Sequence, residues 1–132
     1  MIVRNAIPND YIKLTYHLRK KHIDYITVEH MRIDLLNKNL YVLEDSGKLL
    51  AMVSVVWQKE YNCYGLKRLL IFNKKNCKKG YARTLLAAVL EDNKKYSVTP
   101  WIDNIAMHKL LSSLGFEYIK TFNEIWTLWE RG

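Results

Sequence analysis

Leu69-Leu70-Ile71-Phe72 ends an apolar stretch, and soon after it Ala82, Leu85, Leu86, Val89 and Leu90 recur at i, i+3, i+4, i+7 and i+8. The first pattern predicts a strand over 66–72; the second predicts the buried face of a helix. A further strand is predicted over 98–102. Strand, helix and strand in succession require a crossover, whereas the rest of the chain reads as hairpins. Residues 41–43 and 49–57 pair around the turn residues Asp45-Ser46-Gly47, and the Val-rich second arm is apolar on both faces. Residues 116–121 and 125–129 close the chain around Asn123-Glu124. Crossover and hairpins together imply one mixed sheet in an α/β or α+β domain.

The remaining elements complete the order β-α-α-β-β-β-α-β-α-β-β. A short strand is predicted over 2–4. Pro8-Asn9-Asp10 starts a helix bearing Tyr11, Leu14 and Leu18, which ends at Arg19-Lys20-Lys21. A second helix is predicted over 28–36, with Met31, Leu35 and Leu36 on its apolar side; residues 22–27 fit neither state clearly. Asp103 or Asn104 can cap a last helix carrying Met107, Leu110, Leu111 and Leu114, stopped by Gly115. With 132 residues, a single domain over 1–132 is expected. No apolar run approaches the roughly 20 residues that span a bilayer, and the N-terminus has no secretory pattern. Two cysteines, 63 and 77, give no disulfide framework and no metal spacing. A cytoplasmic protein without membrane or metal partners is expected.

Charge narrows the function. Lys and Arg number 21 against 13 Asp and Glu, for a net charge of +8. Five of those cations (Lys74, Lys75, Lys78, Lys79, Arg83) fall between 74 and 83, with no acid among them. They lie where the strand runs into the helix, beside Gly80. Exposed amides of a first helical turn bind anions, and the helix dipole adds to this. Gly80 removes a side chain where a phosphate would touch the backbone, and Ala82 keeps the next approach small. The paired glycines and Gly-Lys-Ser/Thr ending of a P-loop are missing. The same residues also suit a solvated basic turn ahead of an ordinary helix.

A second segment bears on that choice. Asn104-Ile105-Ala106-Met107-His108-Lys109-Leu110-Leu111-Ser112-Ser113-Leu114-Gly115-Phe116 resembles the "Asn … Leu-Gly-Phe" helix of GNAT-type acyl-CoA N-acyltransferases. In that family it follows a loop of the form Gln/Arg-x-x-Gly-x-Gly/Ala, which Cys77-Lys78-Lys79-Gly80-Tyr81-Ala82 resembles. Val3-Arg4-Asn5-Ala6-Ile7-Pro8-Asn9-Asp10 is similar to the family's opening. The resemblance covers nearly the whole chain. It implies a mostly antiparallel sheet of about seven strands flanked by helices, in which a parallel pair, 66–72 and 98–102, splays apart to take acetyl-CoA as co-substrate. It further implies that backbone groups of Leu70, Ile71 and Phe72 meet the pantetheine arm and the thioester carbonyl. Lys78, Lys79, Gly80, Tyr81, Ala82, Arg83 and Thr84 would wrap the pyrophosphate, and Asn104 would contact the cofactor arm.

Three departures stand out. Cys77 replaces the Gln or Arg of the loop, Met107 replaces a small residue, and Leu111 falls where many family members carry a Tyr that protonates the departing thiolate. Candidates for the missing proton chemistry are His108 as base with Ser112 as donor, one helical turn apart, and Glu60 and Tyr64 near the start of the acyl-bearing strand. The bland alternatives are a surface helix and an ordinary turn. The implied activity is transfer of an acetyl group to the primary amine of a small molecule or peptide by direct attack, in a monomer or homodimer. Acceptor-lining groups would include Tyr16, Tyr25, Glu29, His30 and Glu124. Leu111 and Cys77 favour a rival: a non-catalytic acyl-CoA-binding or structural, phage-associated protein that keeps the fold. A nucleic-acid-binding domain would use the +8 charge differently, but the cations gather on one loop instead of an aromatic-lined stripe.

Overall fold

A computed structural model describes residues 1–73, 75 and 79–132. Its elements are β1 (Ile2–Asn5), a 3-10 turn (Pro8–Asp10), α1 (Tyr11–Lys20), α2 (Tyr25–Leu36), β2 (Leu40–Asp45), β3 (Lys48–Gln58) and β4 (Cys63–Ile71). These are followed by α3 (Tyr81–Val89), β5 (Tyr96–Val98), α4 (Ile105–Ser113), β6 (Glu117–Phe122) and β7 (Trp126–Arg131). The order matches the sequence expectation. The strands form one seven-stranded sheet in the order β1-β2-β3-β4-β5-β7-β6, with β4 and β5 parallel and the other registered pairs antiparallel. By internal contacts the chain divides into two compact units, residues 1–56 with 67–89, and residues 57–66 with 90–132.

In the first unit, burial on both faces of the sheet follows from the run Val42-Leu43. These neighbours point to opposite faces, and both are fully buried. On one face Leu14 and Leu18 of α1 and Met31 and Leu35 of α2 pack on Leu40, Val42 and Met52. On the other, α3 lies over β1 and β2 with Leu85 and Leu86 fully buried. The entry to α1 is fixed by Asp10, whose carboxylate accepts the Ile7 N–H at 2.8 Å and two Arg4 hydrogen bonds at 2.8 and 3.0 Å. The Arg4 bonds hold the Asp10 carboxyl below its ordinary value against the opposing effect of burial. Residues 22–27 resolve into a turn and a cap: His22 adopts φ 57°, and Asp24 accepts the Thr27 N–H at 2.7 Å. Thus α2 begins at Tyr25, ahead of the predicted 28. Leu36, expected on the apolar side, is exposed because the helix turns its Met31 and Leu35 side inward.

In the second unit α4 buries Leu111 completely. Gly115, at φ 89°, ends the helix, and the Phe116 N–H returns to Leu111 O at 3.0 Å. Asn123 and Glu124 both take positive φ, 55° and 57°, the signature of the two-residue hairpin turn read from the sequence. Strand β5 is shorter and earlier than the predicted 98–102. Pro100 offers no N–H to a ladder, and past it only an isolated Trp101–Trp126 bridge continues the pairing. Strand β4 begins at Cys63, three residues before the prediction, because the turn ahead of it is tight, with Asn62 at φ 52°.

Candidate functional site

The end of β4 sets the site. Its register with β5 consists of Tyr64–Tyr96 and Gly65–Ser97, with the Tyr64 N–H on Lys95 O at 2.9 Å. Alternate N–H groups of a strand leave by opposite edges. Phe72 lies an even number of residues beyond Tyr64, so in a regular strand its N–H would leave by the same edge. Instead it bonds Leu50 O of β3 at 2.9 Å. The phase has slipped by one, and Arg68, at φ 54°, is the left-handed residue at which a bulge inserts the extra position. By alternation back from Phe72, Leu70 also faces β3, and the N–H and C=O of Leu69 and Ile71 turn to the opposite edge of β4. Of the three backbone positions read from sequence, Ile71 is therefore the one on that edge, and Leu69 joins it. No pattern of residue types announces a bulge at an arginine, so Leu69 was not legible.

Within the second unit the last rung of the ladder is braced. The Gln58 side chain crosses Gly65 and donates from Nε2 to Ser97 Oγ at 2.8 Å. A Cβ on Gly65 would stand 2.8 Å from the Gln58 amide, so the crossing requires glycine.

The start of α3 follows β4 in the first unit. Gly80 adopts φ 76°, and its carbonyl accepts the first helical bond from the Thr84 N–H at 3.0 Å. By helix geometry the amides of Tyr81, Ala82 and Arg83 then have no partner within the helix. A Cβ on Gly80 would meet nothing within 4 Å among the described residues, so glycine serves the backbone angle. The Thr84 hydroxyl donates to Gly80 O at 3.1 Å. It supplies no free proton to an anion. Lys79 and Arg83 are exposed, and Tyr81 and Ala82 are half-buried. Lys74, Asn76, Cys77 and Lys78 lie outside the described residues.

A pocket of about 500 Å³ adjoins this turn, ringed by Lys13, Lys48, Lys75 and Lys79 over a floor that includes Phe72, with no carboxylate among its described lining. Lys13 of α1 and Lys48 of β3 are distant in sequence and were missed; their only trace was the net charge. The His17 ring stacks on Phe72 at 4.5 Å between centroids, 4° from parallel. Burial, and then Lys20, pull the His17 pKa down, which disfavours the charged imidazole there.

The other candidates lie in the second unit. Asn104 caps α4, its Oδ1 accepting the Met107 N–H at 3.2 Å. His108 is clamped against β7: its Nε2 lies 3.1 Å from Trp101 O and 3.2 Å from Thr127 Oγ, with the Trp129 ring at 5.4 Å. A carbonyl only accepts, so this network assigns the hydrogen to Nε2 and the lone pair to Nδ1. Ser112 is exposed, and no hydrogen bond joins it to His108 among the described residues. Glu60 is exposed in the turn before β4. Tyr64 packs edge-on to Trp57 at 5.0 Å, with the Lys94 ammonium 5.1 Å from its ring centre. Among the proposed acceptor groups, Glu29 pairs with Arg32 at 3.0 Å and Tyr25 reaches Glu29 at 3.5 Å. Tyr16, Tyr25, His30 and Glu124 are exposed.

This architecture is that of a known class: the chain has the fold of the GNAT acyl-CoA N-acyltransferases. Similar solved structures include a GNAT-family acetyltransferase from Streptococcus agalactiae, at 18% identity and TM-score 0.81, covering 98% of this chain and 94% of that one. A spermidine N-acetyltransferase mutant from Vibrio cholerae matches at 16% identity and TM-score 0.74, covering 99% and 94%. The diaminobutyrate acetyltransferase of Paenibacillus lautus, solved with L-2,4-diaminobutyric acid and coenzyme A, matches at 13% identity and TM-score 0.74, covering 99% and 93%. No protein-family model matches the chain, and no curated protein matches it in sequence. No helix among the described residues is long and apolar enough to cross a membrane.

Proposed function

We propose that this protein moves an acetyl group from acetyl-CoA to the primary amine of a small molecule or peptide by direct attack on the thioester. The observation that carries the reading is the continuity of β4 and α3. A bulged strand turns the Ile71 and Leu69 amides to an edge, and the chain then opens a helix at Gly80 whose first amides have no partner within the helix, with lysines around it. Coenzyme A supplies an activated acyl group and a diphosphate. Lys78, Lys79 and the amides of Gly80, Tyr81, Ala82 and Arg83 hold the diphosphate, and Thr84 orders the turn. The Ile71 amide donates to the carbonyl that becomes an oxyanion. Asn104, with Nδ2 not engaged by the cap bond, contacts the cofactor arm.

His108 takes the base role. Its Nδ1 lone pair accepts a proton while Nε2–H stays on Trp101 O, so protonation requires no rearrangement of the ring. Ser112 and Tyr64 remain as donors, and Glu60 as a further candidate group, to be tested by substitution. The amine acceptors named for the two neighbours, spermidine and diaminobutyric acid, support an amine acceptor here.

The reading is tested by following thiol release from acetyl-CoA with a panel of amines. Amine-dependent release that falls in Lys79→Glu and in His108→Gln is expected. Absence of acetyl-CoA binding would overturn it. A second reading, a non-catalytic acyl-CoA binder, is favoured by Leu111: the position of the family's Tyr is filled by a fully buried leucine. It predicts binding of acetyl-CoA with no amine-dependent thiol release. A nucleic-acid binder would instead be stabilised by an oligonucleotide, with an effect that collapses as salt rises.

A further inference from the structure

Arg68 is an uneconomical choice for a left-handed position. An L-residue with a side chain is disfavoured there, and glycine adopts the same angle freely. The side chain is anchored in a way that offsets this. Its Nη2 donates to Asp34 Oδ2, and the same oxygen accepts the Ser54 hydroxyl at 2.7 Å. Asp34 and Ser54 are buried, the latter completely. The Arg68 Nε, also buried, has no partner among the described residues, so Asp34 carries the anchoring. The three residues come from α2, β3 and β4 and all lie in the first unit.

We propose that Asp34, backed by Ser54, is a latch that holds Arg68 left-handed, and that this latch decides which β4 amides face the acyl donor. The inference rests on the acetyl-transfer reading. The physical link is the phase of the strand. Without the latch, Arg68 relaxes toward extended backbone and the slip at position 68 is lost. Regular alternation would then aim Leu70 and Phe72 at the edge and turn Ile71 toward β3. Asp34 and Arg68 are thus positioning residues; neither needs to touch substrate.

The test compares wild type, Asp34→Ala, Asp34→Asn and the double variant Asp34→Ala with Arg68→Gly. Acetyl-CoA affinity is read by calorimetry and amide protection at positions 69–72 by hydrogen exchange. In wild type, Leu70 and Phe72 should be protected and Leu69 and Ile71 should exchange fast. Asp34→Ala should blur that alternation and weaken acetyl-CoA binding about tenfold, the scale of a left-handed penalty no longer offset. Asp34→Asn keeps an acceptor for both donors and should stay within about threefold of wild type. Adding Arg68→Gly to Asp34→Ala should restore both readouts, because glycine needs no latch. Asp34→Ala with Arg68→Ala is the control: it also removes the unpaired cation that a plain salt bridge would leave behind, but it keeps a side chain at the left-handed position, so it should not recover either readout. Unchanged alternation and affinity in Asp34→Ala, no recovery in the glycine double variant, or equal recovery in the alanine one, overturns the latch. If Asp34→Ala fails to fold, the glycine double variant decides alone, since it must fold and bind. Failure of wild type to bind acetyl-CoA removes the acetyl-transfer reading, while the exchange pattern still reports on the latch.

Discussion

Replacing Gly80 by alanine separates two things that one residue does. The position holds φ 76°, which costs a side-chain-bearing residue about 1–2 kcal/mol. The added methyl meets no atom within 4 Å among the described residues, so no packing penalty from them accompanies it. For a chain of this length, that predicts a melting temperature lower by about 3–10 °C. On the proposed reading the methyl also crowds a diphosphate held at this turn. Losing one charge-assisted hydrogen bond there, about 1.5–3 kcal/mol, weakens acetyl-CoA binding about tenfold to a hundredfold. Gly80→Asn is the control. Asparagine tolerates the left-handed region, so it should recover most of the stability yet bind as poorly as the alanine variant. Melting followed by circular dichroism and titration calorimetry with acetyl-CoA give the two numbers independently. The reasoning fails if both variants bind like wild type. It fails equally if alanine destabilises by more than about 3 kcal/mol, since that would mean the space is occupied.

Three further outcomes follow from the geometry. Asp10 is held below its ordinary carboxylate value by Arg4, so its contribution to stability is full above about pH 4 and declines as pH falls through the lower folded value. Asp10→Asn should lower stability at neutral pH and flatten that acid limb in urea titrations. Leu111→Ala should destabilise by about 2–5 kcal/mol as a cavity in a fully buried site; a loss under 1 kcal/mol by urea denaturation would contradict that burial. Gly65→Ala should displace the Gln58 amide, a flexible group, and cost about 1 kcal/mol through its bond to Ser97. In that background, Gln58→Ala should have little further effect on stability.

Element order was legible because each element advertises its period. The i, i+3, i+4 run of α3 and the Asn123-Glu124 hairpin leave little choice of local structure, and Gly80 and Gly115 mark a helix start and a helix end. What escaped the sequence depends on contacts between distant residues. The apolar letters around Arg68 read as one uninterrupted strand, yet Asp34, far back in the chain, bends it. Lys13 and Lys48 join the basic pocket only once α1 and β3 are packed. His108 reads as one of several polar residues on a helix until Trp101 and Thr127 close on it. The start of α3 at Gly80 could be read because the glycine and the apolar period that follows it lie close together in sequence.

The bulge has a consequence apart from any ligand. A β-strand whose hydrogen-bonding groups outrun its neighbour is an invitation to a strand from another molecule, the route to edge-to-edge aggregation. Beyond Gly65, β4 outruns its two-rung ladder with β5. The left-handed backbone at Arg68 makes the half-buried length beyond it a poor template, since an incoming straight strand cannot match it on both sides of the bend. The residue that aims the amides therefore also helps to keep copies of this chain apart.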